Sequence, residues 1–208
     1  RLMSNPESYA TDIKWINGVQ EECEKSAYGI PYLNSTDQYQ NFDIPDNDGI
    51  VASMDKDLIR RAGNVQAKTW RATGVRCLLG PQIDISTNPT YCRYSGSASE
   101  DPALNRDFAK AFITGMQSTF GDEACTDDQG WGSESILGMA KHYCGAGAVE
   151  GGRNDHTDGG KYNVFPGDNF RAHLVPFLDG ALNLGSKTEK CASIMPNYGI
   201  AYDEDQKY

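Results

Sequence analysis

Lys141 and His142 stand side by side at the end of the apolar run Ile136-Leu-Gly-Met-Ala140, and a loop punctuated by Gly145, Gly147, Gly151 and Gly152 follows. An ammonium and an imidazole on adjacent residues can donate hydrogen bonds, carry charge or move a proton. A buried strand that delivers such groups at its C-terminal end, ahead of a mobile glycine loop, is how α/β barrels and open α/β sheets build their sites. Periodicity alone also fits a plain solvated strand end. His142, Cys144, Asp155 and His156 include metal-ligating residue types. However, His-x-Cys followed by a long gap matches no recognised ligand spacing, so neither a metal nor a cofactor is expected.

The elements that must position these groups alternate between helix and strand. Ile13, Ile16 and Val19 share one face of a helix over Pro6–Lys25. Tyr28 to Asp37 reads as a short strand with a polar end. Asp55 is the expected N-cap of an amphipathic helix to Thr73, with Leu58, Ile59, Ala62 and Val65 along its apolar stripe, Trp70 in the core and Gly74 as C-cap. Val75–Ile85 is the next strand, followed by a polar loop to Asp101. Pro102 opens a helix to about Phe120 through Leu104, Phe108, Phe112, Ile113 and Met116. A Gly/Asp-rich loop leads into the Lys141-His142 strand, and Trp131 in that loop is a candidate stacking residue. A helix over Asn169–Leu184 and a strand over Cys191–Tyr198 complete the series.

Alternation at these lengths implies parallel βαβ units, with the long polar loops after the strands. That asymmetry fits an α/β barrel or a doubly wound sheet, and no G-x-G-x-x-G joins the first strand to its helix.

Composition narrows the partners. The 208 residues carry a formal net charge of −10, which argues against nucleic acid or an anionic membrane surface. No apolar run reaches the ~20 residues needed to span a bilayer. The six cysteines are widely spread, and Cys77 and Cys191, inside apolar runs, are expected to be buried thiols. A Gly/Asn/Asp/Tyr-rich, lysine-poor surface favours an extracellular or periplasmic protein over a cytoplasmic one. The chain begins at Arg1 without a secretory signal, as expected of a mature form or an excerpt.

Several stretches carry a family likeness, in order: Gly29-Ile-Pro-Tyr-Leu-Asn-Ser-Thr-Asp37, Asp55-Lys-Asp-Leu-Ile-Arg-Arg61 with Ala72-Thr-Gly-Val75, and Gly80-Pro-Gln-Ile-Asp-Ile85. Arg93 with Ser99-Glu-Asp-Pro102, then Lys141-His142, Glu150-Gly-Gly-Arg153 and Ser193-Ile-Met-Pro-Asn-Tyr198 continue it. Together they resemble the N-terminal barrel domain of glycoside hydrolase family 3, the β-glucosidase family. The resemblance implies a (β/α)8 TIM-type barrel, incomplete at its C-terminal end, over residues 1–208. It also implies an exo-acting, retaining β-glucosidase or exo-β-glucanase acting on a β-glucoside or β-linked oligosaccharide. Asp37 would accept from sugar hydroxyls while Arg93, Lys141 and His142 donate to them, with Arg153 in the loop beyond. The cations would also keep a neighbouring nucleophile ionised.

Retaining enzymes use two carboxyl groups. The family's nucleophile lies in an S-D-[WTS] context on a later strand, and no such motif follows Tyr198, where the chain runs through Asp203 to Tyr208. The acid/base glutamate of its β-glucosidases comes from a second domain. The rest of the same polypeptide is therefore the expected partner, supplying both.

The β-N-acetylhexosaminidase branch instead carries K-H-F-P-G-H-G and a loop Asp-His dyad. Here Ala146 replaces the second histidine, and Asp155-His156 is the nearest dyad, at a different spacing. Gly96 stands where many members have glutamate, and Tyr91-Cys92 replaces Trp-Gly. Two further readings remain open: a non-catalytic carbohydrate-binding barrel, and a barrel enzyme using Lys141 as a Schiff base.

Overall fold

The computed structural model describes residues 6–37 and 44–202. Asp203 and the residues after it fall outside that range. Helix α1 covers Pro6–Glu24, as its spacing predicts, with Ile16 buried. Strand β1 is confined to Ser35–Asp37. The expected strand from Tyr28 is not formed, for local reasons: Gly29 has φ +57°, Pro31 lacks an N–H, and Tyr28, Ile30 and Leu33 lie exposed. A short helix, α2, spans Asn47–Val51.

Helix α3, Lys56–Ala72, starts where Asp55 accepts from the N–H groups of Asp57 and Leu58, and Gly74 follows at φ +89°. Its buried face is rotated from the expected stripe. Ile59, Gly63, Gln66, Ala67 and Trp70 are buried, whereas Leu58 and Val65 are exposed. The reason is the partner helix. A methyl on Gly63 would lie 2.5 Å from the carbonyl oxygen of Phe112, and one on Gly115 would lie 2.0 Å from that of Arg60. The two helices meet through glycines, so the face bearing them turns inward.

Strand β2, Cys77–Leu79, is short because Pro81 cannot donate to a ladder, yet pairing resumes beyond it. Lys141 N–H donates to Pro81 O at 3.0 Å and Ile83 N–H to Lys141 O at 2.8 Å. Helix α4, Pro102–Gln117, is capped by Asp101 and buries Phe108, Phe112, Ile113 and Met116. It stops short of Phe120 because Thr119–Phe120 forms β3, paired antiparallel with β4, Asp128–Gly130. Strand β5 is Leu137–Tyr143. Further on lie β6, Tyr162–Asn163, and α5, Phe170–Val175, which widens at Pro176 into a π-helical turn over Pro176–Ala181. Strands β7, Ser193–Pro196, and β8, Ile200–Ala201, follow, and β8 pairs in parallel with β6.

The main sheet has four parallel strands in the order β1-β2-β5-β7, which is their order along the chain. A doubly wound sheet would reverse that order at a switch point, and no reversal occurs among the described strands. Helices α3, α4 and the π-helical turn pack side by side, and the main core lies between them and the sheet, around Trp70, Leu78, Ile83, Phe108, Phe112, Ile136 and Phe177. Among the described residues the sheet is open, with β1 and β7 as its two edges. All six cysteines are unpaired thiols, with Cys77 and Cys191 buried as expected. No helix among the described residues is long and apolar enough to cross a membrane.

Candidate functional site

The C-terminal ends of β1, β2 and β5 lie together, and chemistry-bearing side chains converge there. Asp37 ends β1. Lys141, two strands away on β5, reaches across β2 to form an ion pair with the Asp37 carboxylate. The lysine is buried and the aspartate remains 43% exposed, so the pair presents its anionic side to solvent. Burial lowers the Lys141 pKa, and Asp37 opposes that shift by favouring the charged ammonium.

Asp84, on the extended segment after β2, is fully buried. Its Oδ2 accepts from the backbone N–H of His142 at 2.9 Å and lies 2.8 Å from ring Nδ1. The opposite ring nitrogen, Nε2, is 3.2 Å from the Arg93 guanidinium. Asp84 is not among the residues nominated from sequence. The available signal is an ionisable residue inside a buried run, which must find a partner to stay there.

Arg93 comes from the loop after β2, where a 3-10 turn covers Tyr94–Gly96. Gln82 braces that loop through Ser97 Oγ at 3.0 Å, and a methyl at Gly96 would sit 2.8 Å from Gln82 Oε1, so the amide would have to shift to admit a side chain there. The departure at Gly96 is therefore matched by a local packing partner.

The glycine-rich loop after β5 is packed, contrary to the expectation of a mobile one. Ala146, Gly147, Ala148, Val149 and Gly152 are buried. Gly147 O accepts from the Thr87 hydroxyl at 3.0 Å, and a methyl at Gly147 would meet Ile85 O at 1.9 Å. Small residues here let the loop lie directly on the backbone of the Ile85–Cys92 segment that leads to Arg93.

Arg153 is exposed and donates to Gly159 O at 3.2 Å within its own loop. Asp155 and His156 do form a pair, Nδ1 to Oδ1 at 2.9 Å, with the imidazole edge-on to Tyr198. Tyr91 lies near both Asp84 and Asp155, and burial together with these carboxylates pushes its phenol far above the ordinary range. Burial and Asp84 push the Cys144 thiol up to about 12, which leaves it unsuited to nucleophilic work. Trp131 is misplaced for stacking: it follows β4 and precedes β5, at the N-terminal end of the sheet, opposite the Lys141-His142 end.

A buried lysine and a buried histidine, each held by its own carboxylate at a strand end, match the family likeness read from sequence, and direct comparison decides it. The family model for the glycosyl hydrolase family 3 N terminal domain matches residues 2–192. The chain belongs to glycosyl hydrolase family 3. Among its relatives in the family, a periplasmic beta-glucosidase/beta-xylosidase of Dickeya chrysanthemi is 30% identical over 198 residues, covering 88% of this chain and 28% of that protein. Beta-glucosidase C of Emericella nidulans is 30% identical over 199 residues, covering 89% of this chain and 30% of that protein. The exo-1,3/1,4-beta-glucanase of a Pseudoalteromonas species superposes with a TM-score of 0.73 at 22% identity, over 93% of this chain and 23% of that one. This family 3 chain thus spans less than a third of the length of these relatives.

Proposed function

We propose that this chain supplies part of the terminal-sugar subsite of a retaining, exo-acting β-glucosidase or exo-β-glucanase. The observation that carries this reading is the meeting of Asp37, Lys141, His142 and Arg93 at the C-terminal ends of parallel strands. A pyranose stripped of water must recover hydrogen bonds for several hydroxyls, each costing about 1–3 kcal/mol if left unpaired. The half-exposed Asp37 carboxylate is an acceptor for them, and the cations of Lys141 and Arg93 are charge-assisted donors. The same cations favour an ionised nucleophile nearby. We read the four strands as the first part of a (β/α)8 barrel, since chain-order parallel strands under one helix layer are how such a barrel begins. The nucleophile and the acid/base belong, on this reading, to further parts of a longer polypeptide. A periplasmic or extracellular location agrees with the composition and with the Dickeya relative.

The test uses the full-length polypeptide with an aryl β-glucoside. The first sugar released should keep the β configuration, read by NMR before mutarotation. Lys141→Ala should lower kcat/KM by roughly 10²-fold or more, because bonds near the anomeric centre strengthen as charge develops. Near-normal kcat/KM for both Lys141→Ala and His142→Ala would overturn the subsite assignment. Tight binding of a glucoside without turnover would favour a carbohydrate-binding barrel instead.

A further inference from the structure

We infer that Asp84 is a positioning residue: it fixes the His142 imidazole with its proton on Nδ1, and thereby makes Nε2 the acceptor that holds the Arg93 guanidinium at the site. The argument needs only donor and acceptor inventories. An ionised carboxylate accepts and never donates, while a guanidinium donates and never accepts. His142 Nδ1 lies 2.8 Å from Asp84 Oδ2, so it carries the hydrogen. Nε2 lies 3.2 Å from Arg93 Nη1, so it must offer a lone pair. A neutral imidazole with the proton on Nδ1 meets both demands; the other tautomer meets neither, and an imidazolium would set two donors against each other at Nε2.

Asp84 is itself fixed. The same Oδ2 takes the His142 backbone N–H at 2.9 Å, and Asn105 Nδ2 donates to the Asp84 backbone carbonyl at 2.8 Å. The side chains of His142 and Asp84 are 4% and 0% exposed, so water cannot easily replace either contact. In this arrangement both ring nitrogens of His142 are engaged by protein. The group it presents outward is then Arg93, and the sequence-based expectation of His142 as a hydroxyl donor becomes one of His142 as the rest on which that donor lies. Carboxylates that orient metal-bound histidines change affinity or activity by about 10- to 100-fold, and an effect of the same order is expected of Asp84 on His142 and Arg93.

The kinetic arm of the test rests on the glucosidase reading, and the spectroscopic arm does not. NMR of ring-labelled histidine in the full-length protein, with the His142 signals assigned by their loss in His142→Gln, should place the ring proton on Nδ1. Asp84→Asn keeps an amide oxygen able to accept both N–H groups, so it should retain that tautomer. Asp84→Ala should lose it and lower kcat/KM by about 10- to 100-fold, with Asp84→Asn recovering most of the loss. Adding Asp84→Ala to Arg93→Ala should cost less than about twofold more, because one acts through the other.

A ring proton on Nε2 in the parent protein overturns the inference, as does a full multiplicative penalty in the double variant. If Asp84→Ala does not fold, the parent and Asp84→Asn spectra still decide it. Absence of any β-glucoside turnover, with the Nδ1 tautomer intact, would sink the proposed function and leave the positioning role standing.

Discussion

Lys141 and Asp37 form an ion pair across an intervening strand, and the two partners differ in burial: the lysine side chain is 3% exposed and the aspartate 43%. This asymmetry makes the pair unequal under mutation. Asp37→Asn leaves a buried ammonium without its counter-charge, whereas Lys141→Met leaves a carboxylate that water can reach. We therefore expect Asp37→Asn to lower stability by about 1–3 kcal/mol and Lys141→Met to change it by less than about 1 kcal/mol. Urea denaturation of both variants checks the order. Equal losses would mean that the lysine is better solvated than its burial indicates.

His173 on α5 is buried against the Phe165 ring, and burial pushes its pKa down from 6.5 to about 4, with nearby Asp84 opposing the shift. The unfolded chain takes up this proton near 6.5 and the folded chain only near 4. Between those values the unfolded state binds more protons, so stability falls as pH drops through that window and levels off below it. The full difference is about 3 kcal/mol. His173→Leu should flatten this acid limb in denaturation curves taken from about pH 7 down to about pH 4. An unchanged slope would remove His173 as its origin.

The contact of α3 with α4 gives a packing prediction. Gly115→Ala places a methyl 2.0 Å from Arg60 O, a backbone atom that cannot rotate aside. The helices must separate, at a cost of about 1–3 kcal/mol. Calorimetry on the variant should register this as a lower Tm. An unchanged Tm would mean that the helix pair is looser than its close approach implies.

Open edges predict self-association. Among the described residues, strands β1 and β7 each have one partner in the main sheet, and unpaired edges recruit further chains. Residues 1–208 produced alone should associate or remain partly unfolded, as read by light scattering. A monodisperse species with a sharp cooperative melt would argue that these edges are covered in some other way.

Much of this is legible in the sequence because it depends on local chemistry. Asp55 and Asp101 announce their helices through side-chain acceptors, and the Phe108-Phe112-Met116 stripe fixes the inward face of α4. The inward face of α3 escapes a reading by apolar stripe because Gly63 and Gly115 bring the helices together, and an absent side chain gives no hydrophobic signal. The placement of Lys141 and His142 at a strand end is readable from an apolar run followed by a loop. The contact of Asp84 with His142 joins residues 58 apart, a distance no periodicity encodes. Trp131 is apt by residue type alone; only the direction of β5 shows that it lies at the opposite end of the sheet.

Strand order that follows chain order also has a consequence for how the protein is made. As synthesis proceeds from the N-terminus, every new strand of the main sheet finds its neighbour already outside the ribosome. Each strand pairs with its immediate predecessor in the sheet (Ser35 with Cys77, Cys77 with Leu137, Met139 with Ser193), so no pairing has to skip over a strand already made. The anionic and cationic halves of the polar cluster emerge at different times: the carboxylate of Asp37 precedes the ammonium of Lys141 by 104 residues. Until β5 arrives, β2 has an open side, and that edge is exposed to off-pathway pairing.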